Sequence, residues 1–287
     1  MALPGRVFRA ALFGHPVGHS RSAELFRALA AHGGPAVDYQ LVDVPLGRLA
    51  EFVERLRAGE WDGANVTVPH KLDAARMADT LDAAARGTGA VNVLARDGDR
   101  VRGANTDVAG FVGALALPRA ADALRGRPRR AAVLGSGGAA RAVGWGLAHA
   151  GWEIVTVARR AGASFGWDDP GLARAVAACA LVVQATSAGM APAPDEAPPL
   201  PAEAFAPGQL AIELIYNPWE TRWLRSARAR GATAVNGWPM LVGQAARAAE
   251  TWLGRAAAEA VALAAAAIEP RDPFQPAAAA AGGPPAP

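Results

Sequence analysis

At 287 residues, 52% of them apolar and with a net charge of +3, the chain has room for one large or two modest domains and enough apolar surface for a sizeable core, which excludes wholesale disorder. Its 29 basic residues are scattered without aromatic interleaving, so no nucleic-acid track is expected. No apolar run approaches the ~18 residues of a membrane span.

Arg6–Phe13 reads as a first strand, closed by Gly14-His15-Pro16. Leu25, Phe26 and Leu29 then recur at helical spacing up to Gly33-Gly34. Val37–Val44 reads as a second strand, Leu46–Leu56 as a helix, and Gly63–Val68 as a third strand halted at Pro69, which cannot donate to a ladder. After a polar-apolar segment from Leu72 to Leu81, Ala90–Ala95 and Val101–Ala104 flank Asp97-Gly98-Asp99, a hairpin signal. Strands alternating with helices predict an α/β sheet with crossover connections.

Asn105-Thr106-Asp107 opens a helix running through Phe111 and Leu115, with Asp107 readable as its N-cap. The Pro/Arg/Gly-rich stretch Pro118–Arg130 predicts a domain boundary, its Arg125, Arg127, Arg129 and Arg130 reading as a solvated edge. The pattern then restarts. Ala131–Leu134 is a strand, Gly135–Arg141 a glycine-rich turn, Ala142–Ala150 a helix, Ile154–Ala158 a strand and Leu172–Ala178 a helix. Leu181–Gln184, Leu210–Ile215 and Thr233–Val235 read as further strands, and Met240–Ile268 as one long helical run. The tail from Pro270 is low in complexity and is expected to be disordered.

Lys71 is the only lysine; every other side-chain cation is arginine. Arginine stays charged, whereas lysine can give up a proton, so a lone lysine just past a strand end suggests that its proton is used. The plain alternative is a surface lysine left by codon bias. The turn fits G-x-G-x-x-G at Gly135 and Gly137, with Ala140 in the third place. Such a turn between strand and helix can seat a pyrophosphate on helix N–H groups, unless it is only a structural βα turn. The following strand ends in Arg159-Arg160, with no carboxylate until Asp168. Two guanidiniums there suit a 2′-phosphate and favour NADP over NAD, the alternative being two solvated arginines.

Asn65, Asn92 and Asn105, with Ser20, Ser22, Thr67 and Asp107, cluster at strand and turn ends and would suit a polyhydroxylated small ligand, although each alone is a common cap or turn residue. His15 and His19 have the spacing of a helical metal pair, but Pro16 and Gly18 deny the helix, so no metal site is expected. No G-x-S-x-G elbow supports acyl transfer. A lone Cys179 reads as a small buried hydrophobe in a reducing compartment. With no apolar leader visible, the expected location is the cytoplasm.

Leu12–Ser22, Asn65–Lys71, Gly89–Asn92 and Gly103–Asp107 resemble the shikimate dehydrogenase family. So do Gly135–Arg141, Ala185–Met190, Ile215–Pro218 with Thr221, and Gly237–Gln244. The likeness runs in order over about residues 7–255. It implies an N-terminal α/β substrate domain, a Rossmann-type NADP-binding domain, and C-terminal helices packing back on the first. The expected bounds are 1–107 with 238–269 returning to it, 108–237, and a tail of 270–287.

By resemblance, Lys71 and Asp107 are the catalytic pair. Ser20, Ser22, Thr67, Asn92, Tyr216 and Gln244 contact the substrate, and Gly135, Ser136, Gly137, Gly138 and Ala139 take the pyrophosphate. Arg159 and Arg160 take the 2′-phosphate, while Leu214 and Gly237 lie near the nicotinamide. The implied activity is NADP-dependent interconversion of 3-dehydroshikimate and shikimate in aromatic amino acid biosynthesis. Quinate or aminoshikimate as substrate, and a non-catalytic NADP-binding regulator, are the alternatives. A small-molecule substrate is the expected partner, with no nucleic acid or membrane, and a homodimer is allowed. The chain departs from the family pattern at Ala23, Phe26-Arg27, Val93, Ala158, Arg160, Gln184 and Glu213.

Overall fold

Two sheets, each closed over by helices, organise the chain in a computed structural model that describes residues 6–18, 20–159 and 161–268. The expected disordered tail from residue 270, like Arg160, lies outside the described residues.

The first sheet is built from β1 (Phe8–Gly14), β2 (Val37–Asp43), β3 (Gly63–Val66), β4 (Thr80–Leu81), β5 (Val93–Asp97) and β6 (Arg100–Ala104), in the order β2-β1-β3-β5-β6-β4. β1 runs parallel to β2 and β3, whereas β5 is antiparallel to both β3 and β6. Between these strands lie α1 (Ser22–Arg27), α2 (Leu49–Arg57), α3 (Lys71–Met77) and α4 (Ala83–Thr88). Its β1, buried from Ala10 to Gly14, is the near-continuous apolar run expected of a strand covered on both faces.

Helices α5 (Asp107–Leu115) and α6 (Pro118–Leu124) lead to the second sheet. That sheet is wholly parallel: β7 (Arg130–Leu134), β8 (Glu153–Val157), β9 (Leu181–Gln184), β10 (Leu210–Glu213) and β11 (Thr233–Val235), in the order β11-β10-β9-β7-β8. The order reverses beside β7, between β8 and β9. In open α/β sheets ligands bind in the crevice beyond the strand ends at such a point. Helices α7 (Gly138–His149), α8 (Leu172–Ala177) and α9 (Arg222–Ala229) connect these strands, and α10 (Trp238–Leu253) and α11 (Arg255–Ile268) follow.

The last two helices return to the beginning of the chain. Trp238, Leu241, Ala245, Ala248, Ala257 and Val261 share one buried cluster with Ala10, Leu12, Leu25, Phe26, Leu29 and Tyr39. Alanine dominates their inner faces, so the helices approach closely. This is the fold class the family resemblance implied: an α/β sheet, a Rossmann-type sheet and helices packing back on the first.

Several elements differ from the sequence reading. Pro118–Arg130 is not a bare link: Leu117 is extended, Pro118 takes the first helical position, and α6 follows with Ala120 buried. Proline at that position starts a helix, because its missing N–H has no intrahelical partner to lose. The run from Met240 to Ile268 breaks at Gly254, whose φ of 87° is left-handed. α7 starts at Gly138 rather than Ala142: Gly138, Ala139, Ala140 and Arg141, read as part of the turn, form its first turn behind the extended Gly137. Besides α6, α4 and α9 were not predicted. α4 has no apolar period and rests on Asp82, whose side chain accepts from the Ala85 N–H at 2.6 Å. α9 carries its signal openly, a Thr221 cap followed by buried Trp223, Leu224 and Ala227, amid arginines that mask it.

Candidate active site

Pro69 ends the third-strand segment, and the chain turns at once into α3, whose first residue is Lys71. His70, fully buried, donates from Nε2 to the Val44 carbonyl at 2.7 Å and fixes this helix start. Lys71 Nζ donates to Asp107 Oδ2 at 2.6 Å. Asp107 stands in the first turn of α5 behind Thr106, so it is not the N-cap that its position suggested. The two side chains are 15% and 5% exposed, which separates them from the weak, solvent-screened ion pairs of the surface.

Asn92 holds the pair. Its Nδ2 lies 3.0 Å from Asp107 Oδ1, 2.9 Å from Thr106 Oγ1 and 3.3 Å from Gln244 Oε1, three acceptors for two hydrogens. Its Oδ1 accepts the Thr106 N–H at 2.7 Å. Asn65 borders the cleft while serving the scaffold, accepting from the Tyr39 hydroxyl at 2.8 Å and donating to the Asn92 carbonyl at 3.2 Å. Asn105 does not reach the cleft. It is buried and its amide donates to Thr88 and the Ala90 carbonyl, so its place in the polar cluster is corrected to a structural one.

These groups open into a cavity of about 390 Å³ between the two sheets. Lys71, Asp107, Ser20, Ser22, Thr67, Asn92, Tyr216 and Gln244 all line it. So do Gly137, Gly138 and Ala139 at the start of α7, with Leu214 and Gly237. Ser20 Oγ donates to Ser22 Oγ at 3.2 Å on the rim. Burial raises the Tyr216 phenol above its ordinary pKa, opposed by hydrogen bonds from Ser20 and the Arg21 backbone. Gly135, Ser136 and Arg159 lie outside that lining, at the neighbouring ends of β7 and β8, where the Gly135 N–H donates to the Val157 carbonyl at 2.8 Å.

The sequence reading gave no site role to Thr186, Ser187 and Met190 after β9, or to Met240 and Leu241 on α10, although it singled out the stretches that hold them. Only strand order brings the loop after β9 beside the glycine turn, and a sequence does not print strand order.

Two glycines of the turn are required where they stand. Gly135 has φ of 119°, and a Cβ there would come within 3.0 Å of the Ala185 carbonyl oxygen. A Cβ on Gly138 would sit 2.9 Å from Lys71 Cβ, so the glycine turn touches the lysine directly. Gly138→Ala is expected to push Lys71 off its position and lower kcat about 10²-fold, the effect of roughly 1 Å of misplacement. Steady-state rates check this, and an unchanged kcat would sink it. Among the described residues no group of three His, Cys, Asp or Glu is placed to hold a metal ion, and no helix is long and apolar enough to cross a membrane.

Comparison with known proteins adds to this geometry. A family model described as the shikimate dehydrogenase substrate binding domain matches residues 12–94. The shikimate dehydrogenase (NADP(+)) of Moorella thermoacetica is 40% identical over 269 residues, covering 88% of this chain and 90% of that protein. That of Methylobacterium radiotolerans is 41% identical over 265 residues, covering 86% and 91%. Among solved structures, the shikimate 5-dehydrogenase of Thermus thermophilus, in complex with NADP(H) and shikimate, has a TM-score of 0.72. It is 34% identical and covers 90% of this chain and 100% of that one. Similarity of this degree, over nearly the full length of both partners, shows that the chain belongs to the shikimate dehydrogenase family.

Proposed function

We propose that the chain is an NADP-dependent shikimate dehydrogenase that interconverts 3-dehydroshikimate and shikimate, with Lys71 and Asp107 as its acid–base pair. The observation that carries this reading is a shielded Lys71–Asp107 contact opening into one cavity with the glycine turn. NADP(H), when bound, supplies or takes up the hydride.

The chain's own residues do the rest. The first-turn N–H groups of α7 have no acceptor within the helix and suit a pyrophosphate, and Arg159, exposed beyond β8, suits a 2′-phosphate. Ser20, Ser22, Thr67, Asn92, Tyr216 and Gln244 bind the hydroxyls and carboxylate of the substrate. In reduction, Lys71 Nζ gives a proton to the carbonyl oxygen as charge gathers on it, while Asp107 and Asn92 keep the ammonium aimed. In oxidation, Lys71 or Asp107 takes that proton back. Residues 1–107 with 238–269 form the substrate domain in this reading, and 108–237 the cofactor domain. The reaction belongs to aromatic amino acid biosynthesis.

The departures at Ala23 and Phe26 do not favour a different substrate, since both side chains are buried in the core beneath the cavity rather than lining it. An absorbance assay at 340 nm tests the reading, with shikimate, quinate and aminoshikimate each offered with NADP+ and with NAD+. Turnover is expected to be fastest with shikimate and NADP+. Faster turnover of quinate or aminoshikimate would move the assignment to a paralogue, and none with any of the three would refute it.

A further inference from the structure

Glu213 ends β10 and Gln184 ends β9, and the two are registered partners in the sheet. Both are fully buried. Gln184 Nε2 donates to Glu213 Oε1 at 3.2 Å and to the Ala188 carbonyl at 2.9 Å, while Gln184 Oε1 accepts the Thr186 N–H at 2.5 Å. From the other side Thr221 Oγ1 donates to Glu213 Oε2 at 2.5 Å and accepts the Leu224 N–H at 3.2 Å. One carboxylate therefore joins two stretches that leave adjacent strand ends. The first, 185–190, brings Thr186, Ser187 and Met190 to the cavity; the second, 214–221, brings Leu214 and Tyr216.

We propose that Glu213 is a positioning residue: its ionised carboxylate latches the 185–190 loop to the 214–221 segment, and protonation loosens that latch and with it the cofactor side of the cavity wall. The cofactor half of this inference rests on the function proposed above; the latch itself does not. Both groups that reach the carboxylate are donors, which suits an acceptor-only anion. An acid O–H there would displace one of them or turn the Thr221 hydroxyl away from its acceptor. The side chains that bond to it, Gln184 at the end of β9 and Thr221 just before α9, do not titrate. Burial raises the Glu213 pKa to about 7, opposed by the Thr221 and Gln184 hydrogen bonds. A loosened latch that keeps Glu213 buried loses those two bonds, so it holds the proton more tightly still and is favoured as pH falls.

The sign for stability follows from the raised pKa. Between about 4.5 and about 7 the folded chain keeps a proton that the unfolded chain has released. The contribution of Glu213 to stability thus falls as pH rises through that window and is level above it. Glu213→Gln is expected to gain in Tm relative to the wild type across the same window.

Hydrogen exchange on the ligand-free wild type tests the latch. After correction for intrinsic rates, protection of the Thr186 and Ala188 amides is expected to fall about fivefold between pH 8 and pH 6, the weakening that loss of one charge-assisted bond brings. Unchanged protection would overturn the proposal, whether or not any variant folds. Calorimetry with NADP+ tests the consequence. The wild-type Kd is expected to rise by about the same factor over that range, whereas Glu213→Gln has a raised Kd without this dependence and Glu213→Asp regains it. The 2′-phosphate of the ligand titrates alike against all three proteins, so the differences between them carry the result. Equal slopes in wild type and Glu213→Gln would overturn the link to the cavity. Failure of the wild type to bind NADP+ at any pH would refute the proposed function and leave the exchange result to judge the latch.

Discussion

Lys71→Met is expected to lower kcat by about 10²–10⁴, the usual contribution of a positioned acid or base, while the Kd for NADP+ changes less than about threefold. The split follows from the geometry. Nζ is the only side-chain ammonium in the chain and is aimed into the cavity from α3, whereas the groups that suit the cofactor belong to α7 and the end of β8. Methionine keeps the length of the side chain and its packing against Gly138. It removes the proton and leaves the buried Asp107 carboxylate, among the described residues, with Asn92 as its side-chain donor at 3.0 Å. A buried ion broken on one side can cost about 3–5 kcal/mol, so melting temperature is measured beside the rate to separate lost chemistry from lost fold. A folded variant turning over at close to the wild-type rate would remove Lys71 from the mechanism.

Phe26→Ala is expected to destabilise the protein by about 3–5 kcal/mol, lowering Tm on the order of 10 °C. Phe26 is fully buried, its ring stacked on Tyr39 at 4.7 Å between centroids and 6° between planes, with Trp252 at 5.5 Å on another side. Deleting it leaves a void among side chains from α1, β2 and α10. These belong to different parts of the chain and cannot collapse together. The effect reaches the site, because the Tyr39 hydroxyl bonds Asn65, Asn65 bonds the Asn92 backbone, and Asn92 holds Asp107. Thermal unfolding followed by circular dichroism decides it, and a fall of less than about 3 °C would show that the ring is not a keystone of this core.

Much of the site was legible in the sequence because its chemistry is local. A single lysine two residues after a proline, a glycine turn after an apolar strand, and strand ends carrying asparagine each show in a short window. What a window hides is the partner of each group. Asn65, Asn92 and Asn105 look alike in sequence, yet only Asn92 reaches Asp107. Asn65 serves Tyr39, and Asn105 ties down the turn after α4. α4 stayed hidden because Ala83-Ala84-Ala85-Arg86-Gly87-Thr88 carries no apolar period. It is held instead by its cap and by α7, whose Trp145 packs against the bare backbone of Gly87. Gln184 and Glu213 could be noted as departures from a pattern, but not as a bonded pair. That takes the register of β9 against β10, which pairs residues 29 apart in the chain.

The return of α10 and α11 to β1 and α1 bears on how the protein is made. The ribosome must deliver almost all of the described chain before Leu12, Phe26 and Tyr39 meet the alanine faces that seal them. The five parallel strands come from one unbroken stretch and can close while synthesis continues. The usual order of domain formation is thus inverted, and the half of the protein emerging first spends longest with apolar surface open to chaperones or to another nascent chain.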